Sequence, residues 1–242
     1  MIPRLWDESQ LPFLAEKGHV VSLVGGGGKS TLLAFMAEQC AARGWRVLVG
    51  TTTHIRRPER ERWAQTDAEL ADLWARGSYA VVGTAADDDK LTAAPPALMA
   101  HWMSMADIML LEADGAKRLP CKAPAAHEPV LLPESDVVLA VAGLSAVGCP
   151  LAEVCFRLET ACTLLDASPA TIVTPPLLAR LLASEAGGRK AVGERRFYAV
   201  LNQADDAFQC ACGEKIRSIL RDEYGVRAVL TSFEAGGNDA KL

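Results

Sequence analysis

Four consecutive glycines followed by a lysine and a serine are the residues best suited to chemistry in this 242-residue chain. Glycines let the backbone turn so that several N–H groups point inward and donate hydrogen bonds to phosphate oxygens. The lysine would neutralise the β- and γ-phosphates of a nucleotide, and the serine hydroxyl would bind Mg²⁺. The run comprises Gly25, Gly26, Gly27, Gly28, Lys29, Ser30 and Thr31. It predicts a site for a nucleoside triphosphate and Mg²⁺.

The spacing of this run departs at one position from the usual phosphate loop, G-x-x-x-x-G-K-[ST]. That pattern would place its first glycine at position 23, which is Leu23 in this chain. The run nevertheless follows a predicted strand, residues 19–24, and opens a predicted helix, residues 30–43, as a phosphate loop does. The alternative is a glycine-rich turn that only joins the strand to the helix.

Two acidic residues, Glu112 and Asp114, stand at the end of the most apolar predicted strand, residues 107–112. A phosphate loop needs a carboxylate beside its metal, normally at the end of another parallel strand. We therefore predict that Asp114 holds Mg²⁺ through water, together with Ser30, and that Glu112 assists or orients a water molecule. With Lys29 they are the predicted catalytic residues. The alternative is a pair of surface acids at a strand end.

A third motif, Asn202-Gln203-Ala204-Asp205, follows the predicted strand at residues 197–201 and differs at one position from the Asn-Lys-x-Asp guanine signature. The Asp205 carboxylate would accept hydrogen bonds from guanine N1–H and from its N2 amino group, a donor that adenine lacks. Asn202 would tie the base-binding loop to the phosphate loop. Gln203 replaces the lysine whose stem covers the base. The alternative is an ordinary turn, because Asn and Asp are common turn residues.

The elements that must position these residues alternate between short apolar runs and helical patterns. Strands are predicted at residues 19–24, 45–50, 78–83, 107–112, 136–142, 170–173, 197–201 and 227–230. Helices are predicted at residues 30–43, 67–76 with Asp67 as N-cap, 96–105, 156–165, 176–186 and 207–224. Residues 84–96, which include Asp87, Asp88 and Asp89, are predicted to be a solvated connection. Residues 113–134 are predicted to be a long functional loop.

Strands that are apolar throughout and alternate with helices favour a parallel sheet covered on both faces. The predicted fold is a P-loop NTPase-like three-layer α/β/α arrangement with a mainly parallel sheet. A chain of this length most simply makes one domain, and we predict a single domain over residues 1–242.

Composition narrows the classes of function. Lys and Arg number 25 and Asp and Glu number 30, and the net charge of −5 argues against general binding to nucleic acid or to membrane surfaces. The apolar stretches are too short or too interrupted to span a membrane, and the N-terminal segment lacks the apolar run of a signal peptide. Seven scattered cysteines favour reduced thiols. We therefore expect a cytoplasmic protein.

Several motifs in one order resemble the YqeC-type proteins, which are described as accessory proteins of selenium-dependent molybdenum hydroxylases. The motifs lie at residues 24–31, 51–55, 112–117, 122–124, 127–129 and 202–205. The resemblance implies a P-loop fold that binds a nucleoside triphosphate. It also implies a role in the maturation of a molybdenum–selenium hydroxylase or its cofactor, with that hydroxylase or its maturation proteins as partners.

The resemblance also draws attention to segments outside the phosphate loop. Thr52 is predicted to complete the Mg²⁺ site, and His54 to contact phosphate or substrate; the alternative is a Thr-rich strand end. Further residues are candidates for binding a substrate or partner, such as a phosphate-bearing pterin cofactor. They are Lys117, Arg118, Lys122 and His127, the last with Glu128 as an acid–base pair. A solvated basic loop is the ordinary alternative.

Three functions fit these residues. The first is a Mg²⁺-dependent NTPase, with GTP favoured over ATP, which serves metallocofactor maturation. The second is a kinase or nucleotidyltransferase that acts on a phosphate-bearing cofactor precursor. The third is a non-catalytic adaptor gated by a nucleotide. By analogy with other P-loop proteins, we also expect a homodimer.

Overall fold

The computed structural model describes residues 10–86 and 89–232, which form twelve strands and seven α-helices. The strands are β1 (His19–Gly25), β2 (Val47–Thr51), β3 (His54–Arg56), β4 (Ala80–Val81), β5 (Thr84–Ala86), β6 (Lys90–Thr92), β7 (Ile108–Glu112), β8 (Cys121–Lys122), β9 (Val137–Gly143), β10 (Cys155–Phe156), β11 (Arg196–Asn202) and β12 (Arg227–Leu230). The helices are α1 (Lys29–Ala42), α2 (Asp67–Ala75), α3 (Pro96–Met105), α4 (Leu151–Val154), α5 (Leu158–Leu165), α6 (Pro175–Ala183) and α7 (Ala207–Tyr224).

Seven of these strands form one sheet in the order β12-β11-β9-β1-β7-β2-β4. Every neighbouring pair in this sheet is parallel. The first strand, β1, lies at the centre, and the chain builds the sheet outward on both sides of it. This arrangement confirms the predicted α/β class with a mainly parallel sheet.

Apolar side chains cover both faces of the sheet, as continuous apolar strands require. Along β9, the side chains of Val137, Leu139 and Val141 belong to the core cluster that contains the buried residues of α1. The alternate residues of β9 belong to the opposite cluster, which contains residues of α6 and α7. A third cluster joins α2 and α3 to β2 and β7. The result is the predicted three-layer α/β/α arrangement.

The parallel register brings the ends of four strands together at one edge of the sheet. Gly25 at the end of β1 pairs with Val141 of β9. Glu112 at the end of β7 pairs with Leu23 of β1. Asn202 at the end of β11 pairs with Gly143 of β9. The three motifs found in the sequence therefore meet at the carboxyl edge of the sheet.

The prediction that residues 84–96 form a solvated connection is wrong. β5 and β6 pair antiparallel with each other, and β6 pairs antiparallel with β3, which makes a small three-stranded sheet. Leu91 of β6 is fully buried and shares a core cluster with Ile55 of β3. This pairing joins segments about 35 residues apart in the chain, so local polarity gave no sign of it. Asp87 and Asp88 lie outside the described residues.

Two further local predictions are corrected. Residues 170–173 form no strand beyond a single bridge between Ile172 and Pro150, and the Thr171 hydroxyl accepts a hydrogen bond from the Ser168 N–H. The N-cap of α2 is Thr66 rather than Asp67, since the Thr66 hydroxyl accepts the Glu69 N–H at 3.2 Å.

Candidate functional site

The phosphate loop has a backbone that only glycine accommodates. Gly27 has φ +76°, and a side chain there would collide with the backbone of Gly143. Gly26 lies so close to the carbonyl of Leu119 that an added Cβ would be 2.5 Å from its oxygen. The loop therefore packs closely against the end of β9 and against the segment before β8.

Three amide groups of the loop donate hydrogen bonds within the protein. Gly25 N–H donates to the Asp114 carboxylate at 3.0 Å, Gly26 N–H to the Val141 carbonyl at 2.9 Å, and Gly27 N–H to the Leu119 carbonyl at 3.0 Å. Gly28 is the N-cap of α1, and no side chain caps this helix. The N–H groups of the first helical turn have no intrahelical acceptor, and they carry the positive end of the helix dipole. An anion fits at this position.

Lys29 lies beneath the loop with only 3% of its side chain exposed. Its ammonium group donates to the Gly25 carbonyl at 2.5 Å and contacts Asp114 Oδ1 at 3.0 Å and Glu112 Oε1 at 3.7 Å. Two carboxylates and a carbonyl therefore hold the lysine that the sequence predicts to bind phosphate.

Ser30 and Glu112 form the contact that suits a metal ion. The Ser30 hydroxyl donates to Glu112 Oε2 at 2.9 Å. Burial raises the pKa of Glu112, and Lys29 and the Ser30 hydrogen bond partly offset this effect. A hydroxyl and a carboxylate are donors that Mg²⁺ accepts. Among residues 10–86 and 89–232, no group of three or more His, Cys, Asp or Glu is suited to a metal.

Asp114, which the sequence predicts to be a metal ligand, is buried between two cations. Its carboxylate contacts Lys29 at 3.0 Å and Lys122 at 2.9 Å, in addition to the Gly25 N–H. Lys122 is itself 1% exposed and donates to the Gly115 carbonyl at 2.7 Å. Asp114 therefore fixes Lys29 and the start of the loop, and its part in metal binding stays a prediction.

Glu128 extends this network on the side away from the loop. Its Oε2 atom accepts from Lys122 at 2.8 Å, from Arg157 Nε at 3.1 Å and from Ala125 N–H at 3.0 Å. Burial alone would raise the pKa of Glu128, but the hydrogen bonds from Ala125, Lys122 and Arg157 outweigh it and lower the pKa to about 2. Glu128 therefore holds Lys122 as an ion pair rather than acting as an acid–base partner of the exposed His127.

The motif at the end of β11 is connected to the phosphate loop. Asn202 Nδ2 donates to the Gly27 carbonyl at 2.7 Å, and its Oδ1 accepts from the Thr231 hydroxyl at 2.8 Å. Asp205 Oδ1 accepts from the Ser232 hydroxyl at 2.6 Å. Sequence reasoning missed Thr231 and Ser232. Their position directly after the last predicted strand was the available signal, because parallel neighbouring strands end at the same edge.

Gln203 occupies the position of the signature lysine in a left-handed conformation, with φ +65°. Its side-chain Oε1 accepts a hydrogen bond from the Ser145 hydroxyl at 2.6 Å. The side chain is therefore anchored to the segment that follows β9.

The remaining residues that were predicted to bind a metal, substrate or partner include Thr52, His54, Lys117 and Arg118, and they differ in burial and contacts. The Thr52 hydroxyl donates to the Val130 carbonyl at 2.7 Å, and the neighbouring Thr51 hydroxyl donates to the Glu112 carbonyl at 2.9 Å. His54 is exposed on β3. Lys117 and Arg118 are exposed in the loop that follows Gly115. The metal role of Thr52 and the ligand roles of the others stay predictions.

The wholly parallel sheet, the helices on both faces, and the glycine loop with Lys29 and Ser30 between β1 and α1 define a P-loop NTPase-like three-layer α/β/α protein. A family model described as YqeC protein matches residues 21–159, more than half of the chain, and the chain belongs to this family.

Two known proteins illustrate the similarity. The uncharacterised protein YqeC of Escherichia coli (strain K12) is 36% identical over 137 residues, which are 53% of this chain and 53% of that protein. The chain thus matches about half the length of this curated relative. The crystal structure of the hydrogenase maturation factor HypB from Archaeoglobus fulgidus superposes with a TM-score of 0.42 and 11% identity, over 95% of this chain and 87% of that chain.

Two further properties of the described residues concern the hydrophobicity of the helices and the state of the cysteines. None of the helices in residues 10–86 and 89–232 has the length and hydrophobicity needed to cross a membrane. All seven cysteines are free thiols.

Proposed function

We propose that the protein binds a nucleoside triphosphate with Mg²⁺ and hydrolyses it, with GTP preferred over ATP. The observation that carries this proposal is the hydrogen bond from Ser30 to Glu112 beside Lys29, at the uncapped start of α1. This arrangement puts a cation, a row of amides and oxygen donors for a metal at one point.

Lys29 and the first-turn amides of α1 would stabilise the negative charge that spreads over the transferred phosphoryl oxygens. Before any nucleotide binds, the Asp114 carboxylate already contacts the Lys29 ammonium group and accepts the Gly25 N–H. Ser30 and Glu112 would hold Mg²⁺, which supplies neutralisation of the phosphate charge when bound.

Contacts at the end of β11 support a guanine preference. Ser232 donates to Oδ1 of Asp205, which leaves the carboxylate fixed in place with lone pairs for the base. Asn202 joins this loop to the phosphate loop through the Gly27 carbonyl. A ligand that contacts both loops would therefore be recognised by its base and its phosphates together.

The biological role that we propose is a nucleotide-dependent step in the maturation of a selenium-dependent molybdenum hydroxylase or its cofactor, in the cytoplasm. It is supported by the family membership together with the motif order described above. A second candidate is transfer of a phosphoryl or nucleotidyl group to an anionic acceptor, which the exposed Lys117 and Arg118 favour.

The test is calorimetric titration of GTP, ATP, CTP and xanthosine triphosphate into the wild type and Asp205→Asn, with Mg²⁺. We expect GTP to bind best, the variant to lose at least tenfold in GTP affinity, and xanthosine triphosphate to bind the variant better. Phosphate release would then be assayed without an acceptor. Equal binding of all nucleotides, or no effect of Asp205→Asn, would overturn the guanine preference. Tight binding without turnover would overturn hydrolysis in favour of an adaptor.

A further inference from the structure

The turn at residues 116–119 has an unusual backbone for its sequence. The Ala116 carbonyl accepts the Leu119 N–H at 3.0 Å, and the two central residues, Lys117 and Arg118, have φ +47° and φ +64°. Two successive left-handed residues make a type I′ turn, which favours Asn and Gly. Here both positions carry long cationic side chains.

Left-handed residues concentrate around the candidate site. Seven non-glycine residues in the described part of the chain have positive φ, and four of them belong to this region: Lys117, Arg118, Arg157 and Gln203. Strained backbone of this kind persists where the surroundings fix it, and it clusters at ligand sites. Three of these four residues are cations.

The surroundings that fix the turn belong to the phosphate loop. The Leu119 carbonyl accepts the Gly27 N–H at 3.0 Å, and the Pro120 carbonyl accepts the Gly143 N–H at 2.7 Å. The two cations therefore stand directly before a segment that is hydrogen-bonded to the loop and to the end of β9.

The Phe156 ring lies near two of the cations with left-handed backbone, Lys117 and Arg157. Lys117 Nζ lies 5.3 Å from the centre of the half-buried Phe156 ring, and the Arg157 guanidinium lies 4.8 Å from it. Arg157 begins α5 as its N-cap residue and is 30% exposed. Phe156 pairs in register with Lys122, so the ring is attached to the network of the phosphate loop.

Lys117 and Arg118 differ from the other cations near the loop in having no carboxylate partner, whereas Arg157 forms an ion pair with Glu128. Lys29 and Lys122 are paired with Glu112, Asp114 and Glu128. Lys117 and Arg118 make no salt bridge with any described residue, although the whole chain carries a net charge of −5. Two exposed cations without an ion-pair partner among the described residues attract anions.

Arg157 is connected to Lys29, the lysine assigned to the nucleotide, through a series of ion pairs. Consecutive ion pairs lead from Lys29 to Asp114, then to Lys122, to Glu128 and finally to Arg157. Four contacts thus separate Arg157 from Lys29. Arg157, which is 30% exposed, and Lys29, which is 3% exposed, therefore stand at the two ends of this series of ion pairs.

We propose that Lys117, Arg118, Arg157 and Phe156 form a second binding site, which takes the phosphate monoester of a separate anionic ligand beside the nucleotide. This inference rests on the proposed function, because it places the ligand next to the phosphates of a bound nucleotide. The ligand would meet guanidinium and ammonium donors in a charge-assisted manner.

The test measures the affinity for phenyl phosphate, a simple aromatic phosphate monoester, by titrating it into the protein with and without Mg²⁺ and GDP. The informative variant is Lys117→Asn with Arg118→Gly, which gives the turn its preferred residues. Because the strain is relieved, this variant should unfold at a higher temperature than the wild type. We expect it to bind phenyl phosphate at least tenfold more weakly and GTP within twofold of the wild type.

The matched control is Lys215→Gln with Arg227→Gln, which removes two exposed positive charges from α7 and β12. Its phenyl phosphate affinity should change less than twofold. Absence of phenyl phosphate binding in the wild type, or equal binding in both double variants, would overturn the second site. A parallel loss of GTP affinity in the turn variant would overturn it too, because the cations would then belong to the nucleotide. Phenyl phosphate binding without any GTP binding would instead refute the proposed function alone.

Discussion

Replacing Glu128 with Gln removes a negative charge from a buried oxygen on which Lys122, Arg157 and the Ala125 N–H converge. The carboxamide oxygen of Gln still accepts the Ala125 N–H, so the substitution isolates the charge. The pKa of Glu128 is lowered from its ordinary 4.5 to about 2. Because one pKa unit corresponds to about 1.4 kcal/mol, the ionised form is favoured in the fold by about 3 kcal/mol. We expect the variant to lose about that much free energy of unfolding at pH 7.

The pH dependence supplies a second check on the same value. A carboxyl group with a lowered pKa stabilises the fold above its ordinary pKa, and this stabilisation is lost as the pH falls toward the lowered value. The difference between wild type and Glu128→Gln should therefore shrink by about 1 kcal/mol at pH 4 and by about 2 kcal/mol at pH 3.

Urea unfolding followed by circular dichroism at pH 7, 4 and 3 measures these differences. The control is Glu134→Gln, an exposed position in the same loop, which should change the stability by less than about 0.5 kcal/mol. A loss below about 1 kcal/mol for Glu128→Gln at pH 7, or a difference that stays constant with pH, would refute the argued role of the carboxylate.

Two other substitutions test how the loop is held. Gly27→Ala should lower the free energy of unfolding by more than about 2 kcal/mol and abolish nucleotide binding, because its side chain meets the backbone of Gly143. Gly18→Ala has a similar φ but open space, and should cost only about 1 kcal/mol; equal costs in urea unfolding would refute the argument from close approach. Thr231→Val removes the donor to the buried Asn202 Oδ1 and should cost about 1–3 kcal/mol while weakening GTP binding. Unchanged stability and affinity would contradict the role given to this bond.

The phosphate loop and its partners at the strand ends could be predicted because their signals are local. The strand at residues 19–24, the glycine run and the following helix are adjacent in sequence, and the helix at residues 207–224 forms with the predicted bounds. Parallel neighbours then bring the ends of β7 and β11 to the same edge. This much follows from chain order and strand type.

The inner network could not be predicted, because it depends on pairing between distant segments. Nothing near Lys122 in sequence shows that it is buried between Asp114 and Glu128. Arg157 joins the site only because β8 and β10 pair, a contact across more than 30 residues. The small sheet of β3, β6 and β5 escaped prediction for the same reason.

The central claim is that Ser30, Glu112 and Lys29 form a Mg²⁺-dependent nucleotide site. Its most direct test is the affinity for GTP measured by calorimetry with Mg²⁺ and with EDTA, for the wild type and Ser30→Ala. We predict that the wild type binds at least tenfold more tightly with Mg²⁺, and that Ser30→Ala loses this gain while keeping its fold by circular dichroism. Absence of GTP binding, or an equal Mg²⁺ effect in both proteins, would contradict the account.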